Sequence, residues 1–362
     1  MINKVGWEKK KIEEICAVIN GFAFDSASFS DIESGMPLIR IRDVVRGYTK
    51  TYFNGSYSEN YIVKKGELLI GMDGEFNIGK WNSENALLNQ RVCKLKIDSQ
   101  FTTDKFIYYF MPKALKAIED KTPFVTVKHI SSKQICNIKI NLPPLPIQQQ
   151  IVSELDTLSD IISKKKQQLA DLDILAQATF YELFGDPVSN EKGWKMKLIG
   201  EISSLKSGQF VKASDIQSQY FKGLYPCFGG NGLRGYTKSF THNGEFVLIG
   251  RQGALCGNVK IAKDVFHATE HAVVCTPLKT YETIWFYYIL KILNLNKYAT
   301  GAAQPGLAVG KLEKIEIPFS PILLQRKFAR QIESIEEQKE LINKSIVEVQ
   351  HLFDYTMDRY FN

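Results

Sequence analysis

Two stretches of the chain carry apolar residues at alternating intervals of four and three, which is the spacing of a coiled-coil seam. The first follows the proline cluster NLPPLP, and its seam positions are Ile151, Leu155, Leu158, Ile162, Lys165, Leu169, Leu172, Ala176, Thr179 and Leu183. The second follows Pro321, and its seam positions are Phe328, Ile332, Ile335, Lys339, Ile342, Ile346, Val349, Phe353, Thr356 and Tyr360. Helices of this length span roughly 55 Å. The pattern therefore predicts two long helices whose seams need burial along their whole length.

Each predicted helix has the other as its nearest partner, because two segments of one chain meet at a high effective concentration. We expect the two seams to pack against each other. The alternative, in which each helix lies on its own domain, stays open at this point. One lysine interrupts each seam, Lys165 in the first and Lys339 in the second, at different heights. A polar residue in a seam can fix the register of a coiled coil.

The segments that precede the two long helices repeat each other in sequence. GWEKKKIEEI (6–15) matches GWKMKLIGEI (193–202) without a gap, and Gly21 and Gly208 keep that spacing. Further along, GELLIGMDG resembles GEFVLIGRQG, and FIYYF resembles WFYYI. An internal repeat of this kind predicts one structural unit built twice.

Within each repeat, short apolar runs such as ELLIG, VCKLKI, FVLIG and AVVCT are bounded by Gly, Asn and Asp, which predicts strands. One helix per repeat is expected around DKFIYYFMPKALKAI and TIWFYYILKIL. The expected fold class is α+β, with two similar domains, each followed by a long helix. We place domain 1 at residues 1–145, the first long helix at 146–185, domain 2 at 186–320 and the second long helix at 321–362.

Basic residues are concentrated in the two predicted domains. There are 21 Lys and Arg against 16 Asp and Glu in residues 1–146, and 16 against 10 in 186–321. The helical segments have 3 against 6 in 147–185 and 6 against 7 in 322–362. A basic balance on two modules favours a polyanionic partner touched at two places.

Other features of the composition bear on location. No apolar run suggests a membrane span, and the N-terminal residues show no export signal. The six cysteines form no C-x-x-C pair and are typical of a reduced protein. We expect a cytoplasmic protein without membrane association.

Catalytic and cofactor motifs are incomplete in this sequence. GEFNIGKW (74–81) fits a phosphate-binding loop except that Trp81 stands where Ser or Thr must hold magnesium. FGGNG (228–232) fits a methyltransferase cofactor loop, but no [DN]-P-P-[YF] motif follows. The five histidines show no metal-ligand spacing. We therefore expect no cofactor, no metal and no catalytic residue in this chain.

The whole sequence resembles the specificity subunits of type I restriction–modification systems. The resemblance rests on the W-x₄-I-x-E-I openings at 7 and 194, the Asn- and Gly-rich loops, and the LPPLPIQQQIV and IPFSPILLQRKFA entries into the long helices. It implies that each domain is a target-recognition domain reading one half of a split double-stranded DNA sequence. It also implies that the helices form an antiparallel coiled coil that sets the spacing, that methyltransferase subunits, expected to be two, dock on this chain, and that restriction subunits join through the complex.

The same resemblance points to loop residues that contact bases or the DNA backbone. Arginine favours guanine and Asn or Gln favours adenine in the major groove, whereas lysines and backbone amides bind phosphates. The candidates in the first half are Arg40, Arg42, Asp43, Asp73, Asn77, Gln90, Arg91 and Lys128. Those in the second half are Asn231, Arg234, Arg251, Gln252, Glu270, His271, Gln304 and Lys311. Arg42 and Asp43 are adjacent and equally suited to a local ion pair.

Two other classes of function remain open from sequence alone. One is a scaffold whose domains and coiled coil bind protein, which an absence of DNA binding would favour. The other is a recognition chain with a cryptic nuclease, which metal-dependent cleavage by the isolated chain would favour. The target sequence is not readable, because loop geometry decides which side chain meets which base.

Overall fold

The computed structural model describes residues 4, 6–122, 127–253, 255–301 and 305–362. The described chain divides into two compact units. Unit 1 runs up to Lys164 and includes Ile346–Asn362, and unit 2 is Lys165–Ser345. Each unit therefore holds one globular segment together with a piece of both long helices.

Among the described residues, unit 1 and the first long helix contain short strands and five α-helices. In chain order they are β1 (Glu8–Lys11), α1 (Ile12–Ile15), β2 (Cys16–Asn20), β3 (Phe29–Ser30), β4 (Met36–Ile39), α2 (Asp43–Arg46), β5 (Tyr52–Phe53), β6 (Ile62–Val63), β7 (Leu68–Gly71), β8 (Asn77–Lys80), β9 (Ala86–Leu88), β10 (Val92–Ile97), α3 (Asp104–Lys121), α4 (Ser132–Cys136), β11 (Lys139–Leu142) and α5 (Leu145–Phe184).

Unit 2 and the second long helix follow the same plan. In chain order the elements are β12 (Lys195–Leu198), α6 (Ile199–Ile202), β13 (Ser203–Ser207), β14 (Tyr225–Gly229), β15 (Gly232–Thr237), β16 (His242–Asn243), β17 (Phe246–Gly250), β18 (Val259–Ala262), β19 (Val265–Ala268), β20 (Ala272–Pro277), α7 (Thr283–Ile292), α8 (Val309–Leu312), β21 (Glu316–Phe319) and α9 (Ile322–Phe361).

The sheet topology repeats between the units. The central antiparallel sheet has the order β2-β10-β7-β8 in unit 1 and β13-β20-β17-β18 in unit 2. A two-stranded sheet, β1-β11 or β12-β21, closes each repeat next to its long helix. A further sheet in each unit contains one parallel pair, β4 with β9 or β14 with β19. The expected α+β fold with an internal repeat is confirmed.

The matched glycines are explained by close backbone approach at one point of the repeat. A Cβ at Gly21 would lie 2.0 Å from the Asn89 carbonyl oxygen. At Gly208 it would lie 2.1 Å from the Ala268 carbonyl oxygen. Because no side chain fits at such distances, glycine is required where the chain leaves β2 beside the end of β9, and where it leaves β13 beside the end of β19.

One helix packs on each central sheet, as the apolar patterns predict. Phe106, Phe110 and Met111 of α3 join the core of unit 1. Trp285 and Phe286 of α7, fully buried, join the core of unit 2. Phe106, Phe110, Trp285 and Phe286 each place a large aromatic side chain in the core of their unit.

In unit 1 the beginning of α5 packs against the end of α9. Leu155 shares a core with Phe353 and Met357. The hydroxyl of Tyr360 donates to the carboxylate of Glu154 at 2.7 Å. Early residues of one helix thus meet late residues of the other, which makes the packing antiparallel.

In unit 2 the end of α5 packs against the beginning of α9 in the same antiparallel sense. The ring of Phe328 lies 5.6 Å from that of Phe180 and 5.4 Å from that of Phe184. Every predicted seam position of both helices is buried or half-buried. Packing of the two helices against each other is therefore confirmed.

The two seam lysines differ in what holds them. Lys339 donates to Asp173 of the other helix at 2.8 Å and to Glu336 of its own helix at 2.9 Å. Burial acts against the charge of Lys339, but these hydrogen bonds outweigh it and raise the pKa of Lys339 above its ordinary value. Lys165 is half-buried. The Lys339–Asp173 pair is a polar contact at one height of the seam, which fits a role in register.

One glutamine anchors the start of each long helix to its module. Gln148 is fully buried, accepts from the Thr102 hydroxyl at 2.8 Å and donates to the Phe101 carbonyl at 2.8 Å. Gln325, also fully buried, accepts from the Glu282 backbone N–H at 2.9 Å and donates to the preceding chain. Because buried amides are costly unless satisfied, these contacts fix each helix on its own module.

Candidate nucleic-acid interface

Three segments meet at one end of the central sheet of unit 1, where β7 ends and β10 begins, and we call them loop cluster 1: residues 72–74 after β7, 90–91 before β10, and 127–130. The Met72 N–H donates to the Arg91 carbonyl at 2.9 Å, and the Ile130 N–H donates to the Met72 carbonyl at 2.9 Å. The Gly74 N–H donates to the Lys128 carbonyl at 2.9 Å. Backbone hydrogen bonds therefore hold the three segments in one layer.

The side chains of Arg91 and His129 converge on Asp73 within loop cluster 1. His129 Nδ1 lies 2.5 Å from Asp73 Oδ1, and Arg91 Nε lies 3.6 Å from Asp73 Oδ2. Arg91 has a positive φ of 70°, which an L-residue rarely adopts, and its side chain is 52% exposed. The pair with Asp73 orients a guanidinium that still faces solvent.

Unit 2 builds the same arrangement from different side chains, and we call it loop cluster 2: residues 251–253, 270–271 and 305–307. The Arg251 N–H donates to the His271 carbonyl at 3.1 Å, and the Leu307 N–H donates to the Arg251 carbonyl at 2.8 Å. Gln252 pairs with Gly306 as Asp73 pairs with His129. The backbone frame is thus repeated while the presented side chains differ.

The turn after β4 is shaped by a buried carboxylate. Asp43 is only 2% exposed and accepts from the Arg40 N–H and the Thr49 hydroxyl, both at 2.9 Å. Arg42 lies 3.9 Å from Asp43 and donates to Thr51. Asp43 therefore stabilises the turn that carries the two exposed arginines, and the local ion pair is present.

The remaining candidates of unit 1 differ in their hydrogen bonds and in their exposure. Lys128 donates to the Glu119 carbonyl at 2.8 Å, which ties residues 127–130 to the end of α3. A hydrogen bond from Lys116 lowers the pKa of Glu119 against the effect of burial, and the charge of Lys128 acts in the same direction. Asn77 donates to the Glu75 carbonyl at 3.1 Å, whereas Gln90 is exposed.

Four candidates of unit 2 line one groove of about 500 Å³: Asn231, Arg234, Gln252 and His271. One wall is the β14–β15 turn with the start of β15, and the other is formed by residues 252, 253 and 255. The wall side chains of residues 231, 233, 234, 252 and 255 are exposed. Because the groove holds a cation, an imidazole and two amides, it offers the donors and acceptors that base edges require.

Three other candidates of unit 2 do not line this groove. Arg251 is half-buried and donates to the Ser207 hydroxyl at 2.7 Å. Glu270 lies 3.2 Å from His271 Nε2. Lys311 lies on α8, outside the groove. Gln304 lies outside the described residues.

A second concavity of unit 2, the lysine cleft, has a volume of about 940 Å³. Three exposed lysines, Lys297, Lys311 and Lys314, line it together with Thr300. Thr300 and Gly306 exchange two backbone hydrogen bonds of 2.9 and 2.8 Å, and Gly306 in turn pairs with Gln252. The lysine cleft is therefore adjacent to loop cluster 2.

Sequence reasoning missed three of these residues. His129 was considered only as a metal ligand, although counting back from each long helix aligns residues 128–130 with 305–307. Lys297 and Lys314 had no sequence signal that separates them from other surface lysines.

In the part of the chain that the structure describes, no group of three or more His, Cys, Asp or Glu is arranged to hold a metal ion. No helix among the described residues is both long and apolar enough to span a membrane.

The fold and the two loop clusters define a class of protein with two repeated modules on a pair of packed helices. The sequence model of the type I restriction modification DNA specificity domain matches residues 4–172 and again 191–351. The chain therefore belongs to the family of type I restriction–modification specificity subunits, and the resemblance inferred from sequence is confirmed.

Individual relatives agree with this assignment. The chain is 34% identical over 281 residues to the type I restriction enzyme EcoprrI specificity subunit of Escherichia coli, covering 73% of this chain and 68% of that one. It is 42% identical over 166 residues to the EcoBI specificity subunit of Escherichia coli, but this match covers 46% of this chain and only 35% of that one.

A solved structure shares the fold. The type I restriction–modification S subunit from M. genitalium superimposes with a TM-score of 0.61 at 16% identity, covering 100% of this chain and 98% of that one.

Proposed function

We propose that this chain is the sequence-specific DNA-recognition subunit of a type I restriction–modification complex, and that each unit reads one half of a split double-stranded target. The observation that carries the proposal is that both units build the same backbone frame at the same end of the central sheet, where β7 and β17 end and β10 and β20 begin. The frame is constant, whereas the exposed side chains differ: Arg91 and His129 in one unit, Gln252 and His271 in the other. A constant frame with variable base-reading side chains is what two unequal half-sites require.

The long helices are the proposed docking platform for two methyltransferase subunits, through which restriction subunits join. Several large apolar side chains on the outer faces of these helices are exposed, namely Ile174, Leu175 and Leu341 in unit 2 and Leu352 and Tyr355 in unit 1. Exposed apolar patches on a folded protein mark surfaces that bind other proteins. Methyl transfer and ATP-dependent cleavage are assigned to those other chains, and this chain is proposed to use no cofactor or metal. The proposed domain boundaries remain 1–145, 146–185, 186–320 and 321–362.

The proposal is tested by mapping methylation in cells that express this chain with its methyltransferase partners. One split sequence should be methylated throughout the genome, and methylation should vanish when this chain is omitted. The purified chain should bind that sequence, and should neither methylate nor cut it with magnesium present. Failure of the chain to bind DNA would favour the protein scaffold, and metal-dependent cleavage by the isolated chain would favour the nuclease.

The lysine cleft is proposed to bind phosphates beside the half-site that unit 2 reads. Replacing Lys297, Lys311 and Lys314 together by alanine should weaken binding of target and unrelated duplexes by the same factor, because phosphate contacts carry no sequence information. The slope of log affinity against log salt is negative, and each lost phosphate contact makes it less steep by about 0.9, so the loss of three makes it less steep by about 2.7. Binding titrations of the purified chain at several salt concentrations measure both effects.

A matched control removes the same charge elsewhere in unit 2. Lys166, Lys327 and Lys344 are exposed on the long helices. Their replacement by alanine should change the slope of log affinity against log salt by less than about half of the change expected for one phosphate contact. If the two triple variants have equal slopes, the lysine cleft does not contact DNA phosphates.

A further inference from the structure

The groove of unit 2 contains two exposed leucines that the polar contacts do not explain. Leu233 on one wall is 54% exposed, and Leu255 on the other wall is 55% exposed. Both line the groove itself, alongside Arg234, Gln252 and His271. Large aliphatic side chains held in solvent on both walls of a groove that also presents polar side chains indicate a ligand that has an apolar group as well as donors and acceptors.

Each leucine stands near an amide on the same wall. Leu233 is two residues from Asn231, and Leu255 is three residues from Gln252. The Asn258 side-chain amide donates to Asn231 Oδ1 at 2.6 Å, which fixes the orientation of the Asn231 side chain. The NH₂ group of Asn231 therefore points away from that hydrogen bond. Gln252 is tied through its backbone pairing with Gly306, and its side chain is exposed.

An amide beside an aliphatic group matches the major-groove edge of one particular base pair. Adenine offers an acceptor and a donor that Asn or Gln can engage together, and its partner thymine offers a C5-methyl group that takes apolar contact. Neither a guanine–cytosine pair nor a phosphate presents a methyl group. The charge of Arg234 and of the nearby lysines suits the polyanionic backbone that flanks such a pair.

We propose that Leu233 and Leu255 determine specificity by contacting thymine methyl groups in the half-site that unit 2 reads. The proposal rests on the DNA-recognition function above and adds to it the chemical group being read. Removing one methyl group from water favours binding by about fourfold, so loss of one such contact is expected to weaken binding by about that factor.

The test compares thymine with deoxyuridine, which lacks only the methyl group and pairs identically. After the target is mapped, each thymine of both half-sites is replaced singly, and binding to the complex of this chain with its methyltransferase partners is measured at fixed salt. At least one replacement in the half-site of unit 2 should weaken binding about fourfold. In Leu233→Ala or Leu255→Ala, the same replacement should have no further effect, whereas replacements in the other half-site should act as in the wild type.

Leu278→Ala is the matched control, since Leu278 is 61% exposed in the same unit and does not line the groove. It should keep the full sensitivity to deoxyuridine. The proposal is overturned if the half-site has no A·T pair, if no thymine in it is sensitive, or if the sensitivity persists in both groove variants. It is also overturned if the groove variants lose affinity equally for the thymine-containing duplex and for the deoxyuridine-containing duplex, as a protein-binding role of these leucines would produce. Absence of specific binding by the wild-type complex would instead overturn the proposed function.

Discussion

A chain in which residues 7–144 replace residues 194–321 should direct methylation to a target whose two half-sites are identical. The exchange begins at Trp7 and Trp194, which open the repeat, and ends at Pro144 and Pro321, which precede the long helices. The duplicated segment carries loop cluster 1 with Arg91. Because the backbone frame of the two clusters is the same, the second copy should read the sequence that the first copy reads.

The duplicated chain needs no foreign sequence, and its expected effect is complete replacement of one half-site. Methylation mapping in cells that contain the methyltransferase partners measures it. The reciprocal chain, with residues 194–321 in place of 7–144, is the control, and it should duplicate the other half-site. A duplicated chain that folds and still methylates the original second half-site would show that the loop clusters are not the reading elements.

The long helices and the internal repeat are readable from the sequence because both are periodic properties of neighbouring residues. A heptad needs only the spacing from Ile151 to Leu183, and a buried face follows from it directly. Paired glycines such as Gly21 and Gly208 mark the repeat because close backbone approach admits no other residue there. The high effective concentration of two segments in one chain predicts that the two seams cover each other, and the structure agrees with that prediction.

The set of residues that forms the candidate interface is harder to predict from the sequence, because it depends on pairing between distant segments. Asp73 and His129 are separated by 56 residues, and only the pairing of two loops brings them together. Asp43 looks from sequence like a surface carboxylate, yet hydrogen bonds from Arg40 and Thr49 hold it inside a turn. Sequence therefore locates the loops that carry the candidate site, whereas the roles within each loop follow from long-range contacts.

The junction glutamines show the same limit at the level of one residue. In QQQ at 148–150 the three residues are chemically identical, but only the first is buried. Gln148 binds its own module through Phe101 and Thr102, and Gln325 repeats this arrangement in unit 2. Each module is thus fixed to the start of a long helix, so a change of helix length should be transmitted to the module.

Lengthening both long helices by four residues should lengthen the unread spacer of the target by about two base pairs. Four helical residues add about 6 Å, and base pairs are about 3.4 Å apart. The insertions belong between Lys164 and Lys165 and between Ser345 and Ile346, where the two compact units meet along the chain. Because each unit packs its own pieces of both helices, as Leu155 with Phe353 and Phe180 with Phe328, an insertion in one helix alone should disrupt one of the packed pairs.

Both half-sites should stay unchanged in the doubly lengthened chain, because no residue of either loop cluster is altered. Two residues inserted at each of the same points are the control: they rotate the helix by roughly 200° instead of slightly more than one turn, and methylation should be lost. Methylation mapping reports the spacer, and circular dichroism with a thermal melt reports whether each variant folds. If the four-residue variant folds and methylates the target with its original spacer, the long helices do not set the distance between half-sites, and their role is confined to docking other subunits.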